Sequence, residues 1–110
     1  MNKIISAREA VKWVKDGDTI GINGFAFGYG FAEEVFQALE ERWLEGGHPR
    51  DLTLLFASGC GNEGKQEETF GLDHLAHEGM VKRVIAGHVG LAPKLSEMIN
   101  ENKIAAYNFP

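Results

Sequence analysis

Cysteine is almost absent from this sequence: Cys60 stands alone among 110 residues. An intramolecular disulfide is therefore excluded, and the usage fits a reducing compartment. Basic residues are in deficit, with 11 Lys and Arg against 16 Asp and Glu and a net charge of −5. A protein that tracks nucleic-acid phosphates is not built on that balance. No apolar run reaches the ~20 residues needed to span a bilayer. The opening segment, MNKIISAREA, lacks the apolar region of a signal peptide. Together these absences predict a soluble, cytoplasmic protein with neither nucleic-acid nor membrane partners. The rest is ordinary globular composition, 44% hydrophobic and 25% charged, which argues against disorder. The length suits one small domain with a radius of gyration of about 13 Å, burying roughly two-thirds of its unfolded surface.

Helix and strand patterns alternate along the chain. Ser6-Ala7-Arg8-Glu9 is a capping box, and Ala7, Ala10, Val11 and Val14 form one apolar stripe that Gly17 is suited to end. Thr19–Asn23 reads as a strand. A loop with glycine at Gly24, Gly28 and Gly30 follows, and a helix from about Phe31 carries Ala32, Val35, Phe36, Leu39 and Trp43 on one face up to Gly46-Gly47. Leu52–Ala57, LTLLFA, reads as a strand buried on both faces, as in a parallel sheet. A polar loop runs from Ser58 to about Thr69. Leu72–Glu78 reads as a short helix ended by Gly79, and Arg83–His88 as a strand. Pro93 fits the first turn of a helix with Leu95, Met98 and Ile99 inward, and Ile104–Tyr107 is a last short strand. The β-α-β-α order implies right-handed crossovers and an α/β fold: three layers, α/β/α, with a mainly parallel sheet. Sites in such sheets lie at the C-terminal ends of strands. Here three loops leave those ends: Gly24–Gly30, Ser58–Thr69 and His88–Ala92.

The first loop brings backbone N–H groups to the positive end of a helix dipole, where an anion or a polarised carbonyl is favoured. It is not a dinucleotide fingerprint: after Gly28 and Gly30, Glu33 stands where the third small residue belongs. A turn that only permits tight strand–helix packing competes with a backbone-lined pocket for an acyl or anionic group. The second loop contains a decoy. Gly59-Cys60-Gly61-Asn62-Glu63-Gly64-Lys65 matches the phosphate-binding loop, but Gln66 replaces the Mg²⁺-binding hydroxyl, and Glu67 and Glu68 would repel a triphosphate. Cys60 has no cationic activator in sequence and reads as incidental.

His74 and His77, three apart and beside Glu78, raise a metal site. Catalytic zinc needs a third protein ligand, which neither Asp73 nor Glu78 obviously supplies. A solvated helix end is the better reading. Glu33 and Glu34 are favoured in a first helical turn by the dipole alone, and this outweighs a catalytic carboxylate. His88, closing a strand before Val89-Gly90, is placed equally well for a pocket wall or for a structural hydrogen bond.

Several segments resemble one family. They are His77-Glu78-Gly79-Met80-Val81-Lys82-Arg83, Ala86-Gly87-His88, Pro93, and Glu101-Asn102-Lys103-Ile104-Ala105-Ala106-Tyr107-Asn108. These look like the N-terminal part of family I CoA-transferases, in the acetate/propionate or 3-ketoacid branch. Asp16-Gly17-Asp18-Thr19, Gly24-Phe25 and Trp43-Leu44-Glu45 with Gly47 and Pro49 are similar to that branch too. The resemblance runs from about Ile4 to the last residue and is densest over Ala76–Asn108. Phe31 stands where related sequences commonly have proline.

The resemblance implies an acyl-CoA:carboxylate exchange through a glutamyl-CoA thioester. Coenzyme A would be a substrate, and no cofactor or metal would be held permanently. The family's chain is several times longer. Residues 1–110 would then be the N-terminal part of its first α/β domain, an incomplete domain inactive alone, in an enzyme that is a homo-oligomer when complete. The nucleophilic glutamate lies in the family's second domain, so no residue here inherits that role. Pocket wall is what this part would supply: Gly24, Phe25, Gly28, Gly30, Ser58, Gly59, Asn62 and His88. The alternative is a non-catalytic α/β ligand-binding or regulatory module.

Overall fold

A computed structural model describes residues 4–22, 33–58, 69, 71–88 and 92–108. Helix α1, Ala7–Ala10, is capped by the Ser6 hydroxyl, which accepts from the Glu9 amide at 3.1 Å. Only half of the capping box forms, because the Glu9 carboxylate takes the Ser6 hydroxyl rather than a backbone amide. The helix tightens into a 3₁₀ turn, Val11–Trp13, and stops short of the Gly17 that was expected to end it. Arg42 explains the early stop. Its guanidinium donates to the carbonyls of Val11 and Val14 at 2.6 and 2.5 Å, giving the helix end a tertiary partner. Gly17, at φ +79°, instead serves the tight turn Lys15–Asp18.

Strand β1 is Thr19–Ile22, α2 is Glu33–Gly46, and β2 is Leu52–Ser58. Gly47 ends α2 at φ +71°, its amide donating back to the Trp43 carbonyl at 2.7 Å. The expected helix at Leu72–Glu78 is instead a buried 3₁₀ segment, Gly71–Leu75. It enters through Gly71 at φ +62°, and its i→i+3 bond from Ala76 to Asp73 is the last of the segment. Strand β3, Val81–His88, starts two residues before the expected Arg83, because Val81 already pairs with Leu52. Helix α3, Pro93–Asn100, has no side-chain cap of its own at Ala92. The buried Asp73 carboxylate supplies one, accepting from the amides of Lys94 and Leu95 at 3.0 and 3.2 Å. Strand β4 is Ala105–Asn108.

Among the described residues the four strands are all parallel, in the order β1-β2-β3-β4. Right-handed crossovers that always step in the same direction put every connecting helix on one face of a sheet. Burial follows that rule. Leu52, Leu54, Phe56, Val84 and Ala86 are buried, packed with Val11, Phe36, Leu39, Leu72, Leu75, Leu95 and Met98. The other face presents the register row Gly21–Leu55–Ile85–Tyr107, with Leu55 43% and Tyr107 55% exposed. The α/β class and the parallel sheet therefore match expectation, and among the described residues two of the three layers are present. The expectation that Leu52–Ala57 is buried on both faces fails at Leu55 and Ala57 for the same topological reason. Thr53 is the buried exception on the bare face, beside Arg83 in register.

Candidate functional site

The C-terminal edge of the sheet is where strand topology puts a ligand. Register sets Ser58 of β2 directly beside His88 of β3 on that edge, with Ile22, Phe56 and Ala86 one step below. Two of the expected pocket residues are thus backbone neighbours, although they lie 30 positions apart in sequence (88 − 58). Gly24, Phe25, Gly28, Gly30, Gly59 and Asn62 lie outside the described residues, as do Cys60 and the P-loop-like segment 59–65.

Beside this edge, α2 and the Gly71–Leu75 segment build a charged network that sequence reasoning did not foresee. His74 is buried at 5% exposure, so its reading as part of a solvated helix end is corrected. Its Nε2 lies 2.5 Å from Glu33 Oε1, and its Nδ1 lies 2.8 Å from Glu40 Oε1. A carboxylate oxygen facing each ring nitrogen requires a proton in each contact. The triad is either an imidazolium between two carboxylates or an imidazole beside one carboxylic acid. Glu40 Oε2 takes a third contact, from His77 Nε2 at 2.6 Å. Burial pushes the Glu40 carboxyl up, but the hydrogen bonds and charge of His74 and His77 outweigh it and hold the group below its ordinary value. Glu33 also accepts from the Gly71 amide, at 3.2 and 3.0 Å to its two oxygens. Both carboxyl groups are committed to these hydrogen bonds, so neither is a free nucleophile. Among the described residues no cluster of His, Cys, Asp and Glu is arranged to hold a metal ion.

The signal for this network was present but two-sided. Glu33, Phe36, Glu40 and Trp43 recur at i, i+3, i+7 and i+10, a single helical stripe. Acids on an apolar stripe need partners, and those partners came from a segment about 40 residues away. The opposite, N-terminal edge of the sheet holds a settled cluster. The Asp16 carboxylate accepts from the Arg50 amide and from His48, and the Arg50 guanidinium lies 5.1 Å from the centroid of the Trp43 ring. An open cleft of about 490 Å³ runs between Ile5, Ser6, Ala7 and Ala10 on one side and Glu33, Glu34 and Val35 on the other. Among the described residues its lining has no basic side chain to favour a phosphate group.

No family model matches the chain. Curated proteins do. The chain is 35% identical over 107 residues to acetate CoA-transferase YdiF of Escherichia coli strain K12, covering 97% of itself and 19% of that protein. It is 34% identical over 110 residues to caffeate CoA-transferase of Acetobacterium woodii, covering 100% of itself and 20% of that protein. Among solved structures, the acyl-CoA transferase YdiF of Escherichia coli O157:H7, in a thioester complex with CoA, superposes with a TM-score of 0.88 at 34% identity. That match covers 96% of this chain and 20% of the neighbour. The apoenzyme of the same protein gives the same TM-score over 97% of the chain. The resemblance to CoA-transferases therefore holds from end to end, in fold and in sequence, while the chain spans about a fifth of the length of the relatives it matches.

Proposed function

We propose that residues 1–110 are the N-terminal part of the first α/β domain of a short-chain acyl-CoA:carboxylate CoA-transferase. They would supply one wall of its acyl-CoA site. The observation that carries this reading is the unbroken likeness to CoA-transferases along the chain, including one neighbour captured as a CoA thioester. The wall would comprise Gly24, Phe25, Gly28 and Gly30 after β1, Ser58 at the end of β2 with Gly59 and Asn62 beyond it, and His88 at the end of β3. Amides at these strand ends would stabilise oxyanions as thioester and anhydride form.

In the exchange that the resemblance implies, a glutamate carboxylate attacks the thioester carbonyl and expels CoA thiolate, leaving an acyl-glutamyl anhydride. The thiolate then attacks the glutamyl carbonyl and releases the first carboxylate. A second acid takes CoA by the reverse steps. The resemblance implies that this glutamate lies in the second domain of the family, outside residues 1–110. Coenzyme A is thus a substrate and not a resident cofactor. Acetate, propionate or a 3-ketoacid would serve as the acid, and the assembled enzyme would be a homo-oligomer. The single cysteine is suited to the cytoplasm, and no helix among the described residues is long and apolar enough to cross a membrane.

The test is transfer of CoA from acetyl-CoA to propionate by the whole product of the reading frame that contains residues 1–110. Transfer is expected, with a glutamyl-CoA adduct detectable by mass spectrometry, and none is expected from isolated 1–110. Robust turnover by pure 1–110, or no CoA binding by the whole product, would overturn the reading. A free-standing regulatory module is disfavoured by the bare sheet face, since a self-sufficient domain would cover Leu55 and Tyr107.

A further inference from the structure

The network of Glu33, Glu40, His74 and His77 has no part in the exchange chemistry, yet it joins two points of consequence. Glu33 is the first described residue after the segment that leaves β1, and Gly71 stands at the end of the segment that leaves β2. The Gly71 amide donates to both Glu33 oxygens, at 3.2 and 3.0 Å, across 38 positions of sequence. His74 then clamps the same carboxylate at 2.5 Å, and Glu40 holds His74 from its far side at 2.8 Å. The clamp is well shielded: side-chain exposure is 7% for His74, 22% for Glu33 and 21% for Glu40. Gly71 reaches its position at φ +62°, a conformation that aims its amide and that a residue with a Cβ rarely adopts. A carboxylate placed only to complement a helix dipole needs no such partners.

We propose that Glu33, backed by His74, is a positioning residue for the acyl-CoA wall. It ties the start of α2 to the Gly71 turn. The chain leaving β1 and the chain leaving β2 thereby rejoin the helical layer at a fixed separation before ligand arrives. This rests on the CoA-transferase reading above and extends it to residues that do not touch the reacting atoms. Preorganisation of this kind raises affinity by removing the ordering cost of binding.

The experiment measures the dissociation constant of CoA by calorimetry, and hydrogen exchange at the Gly71 amide, in the whole product of the reading frame. Glu33→Ala should weaken CoA about tenfold, which is about 1.4 kcal/mol. Glu33→Gln keeps an oxygen for the Gly71 amide and should stay within about threefold of the unmodified protein. Adding His74→Ala to Glu33→Ala should cost little more, because residues acting as one unit are not additive. Exchange at Gly71 should accelerate in Glu33→Ala. A purely structural brace would lower the melting temperature of Glu33→Ala and leave CoA affinity unchanged below it, and that result overturns the proposal. Should Glu33→Ala fail to fold, Glu33→Asp keeps the charge but shortens the reach by one methylene. Weakened CoA binding then supports the tie, and unchanged binding sinks it. Unmodified protein that binds no CoA would remove the ligand from this assignment together with the CoA-transferase reading, while Gly71 exchange still reports the tie itself.

Discussion

Leu54 and Leu55 are the same residue one position apart, and the sheet treats them oppositely. Leu54 is 0% exposed beneath the helical layer, and Leu55 is 43% exposed on the bare face. Nothing local in LTLLFA separates them, since both lie in an unbroken apolar run. Topology separates them. Four parallel strands added in one direction send every crossover to the same side, and a second helical layer needs a reversal of strand order that the described residues do not contain. An apolar residue on the bare face is therefore poised for cover from elsewhere, whereas one on the covered face already has its partners.

The largest expected effect breaks or upholds this contrast directly. Leu54→Ala should destabilise by about 2–5 kcal/mol, as for other fully buried leucines. Leu55→Ala in residues 1–110 should cost about 1 kcal/mol or less, because much of the side chain already meets water. Urea unfolding of both variants checks the pair. Equal losses in 1–110 would show that the second face is already packed. Equal losses only in the whole reading-frame product would show that further chain covers it.

Next in size is a polar group on the covered side. Asp73 is 1% exposed and caps α3 from across the fold. Asp73→Ala strands two helix-start amides and should cost about 1–3 kcal/mol. Asp73→Asn, which keeps an acceptor, should recover part of that. A loss for Asp73→Ala no larger than that of Leu55→Ala would mean that the helical layer depends little on its polar contacts.

Glu40 gives the contrast a pH dependence. Its folded-state value lies below the ordinary 4.5, so it contributes stability that is complete above about pH 4.5 and is lost as pH falls through the lowered folded value. Glu40→Gln should therefore be less stable than the unmodified protein at pH 7, with the gap closing in acid below pH 4.5. Melting curves from pH 7 to pH 3 measure it. A gap that stays constant with pH would show that the carboxylate's charge is irrelevant to the clamp.

These outcomes bear on what the sequence disclosed. Element type was legible wherever hydrophobic period and glycine or proline punctuation agreed, as in α2 with Gly47 and α3 with Pro93. Edges shifted where a distant partner decided them: Arg42 shortened α1, and pairing with Leu52 drew β3 back to Val81. The clamp was illegible because each part has a bland local explanation: Glu33 is a dipole-favoured acid in a first turn, Glu40 is one acid along a helix, and the two histidines stand among acids. Only their meeting across about 40 residues gives them a role. Of the expected pocket wall, His88 was legible as a strand end, whereas Ser58 read as the first loop residue and instead closes β2, and the register that pairs the two follows from three-dimensional alignment of the strands.

The smallest expected effect lies on the bare face and tests whether that face is finished. The Arg83 guanidinium sits 5.7 Å from the centroid of the Tyr107 ring, while Arg83 Nε is shielded from water and has no hydrogen-bond partner among the described residues. Tyr107 is 55% exposed, so the contact is a surface cation–π pair worth about 0.5–1 kcal/mol. Tyr107→Leu keeps apolar area but removes the ring's negative face, and Arg83→Met keeps the stem but removes the charge. A double-mutant cycle on the two isolates their coupling. In residues 1–110 that coupling should stay near the surface value. In the whole reading-frame product it should rise towards about 2 kcal/mol if further chain desolvates the pair, because water no longer competes for the guanidinium. Equal coupling in both proteins would mean that the face remains wet around Arg83. The difference between Leu54 and Leu55 would then be a property of the whole reading-frame product and not only of the part described by these residues.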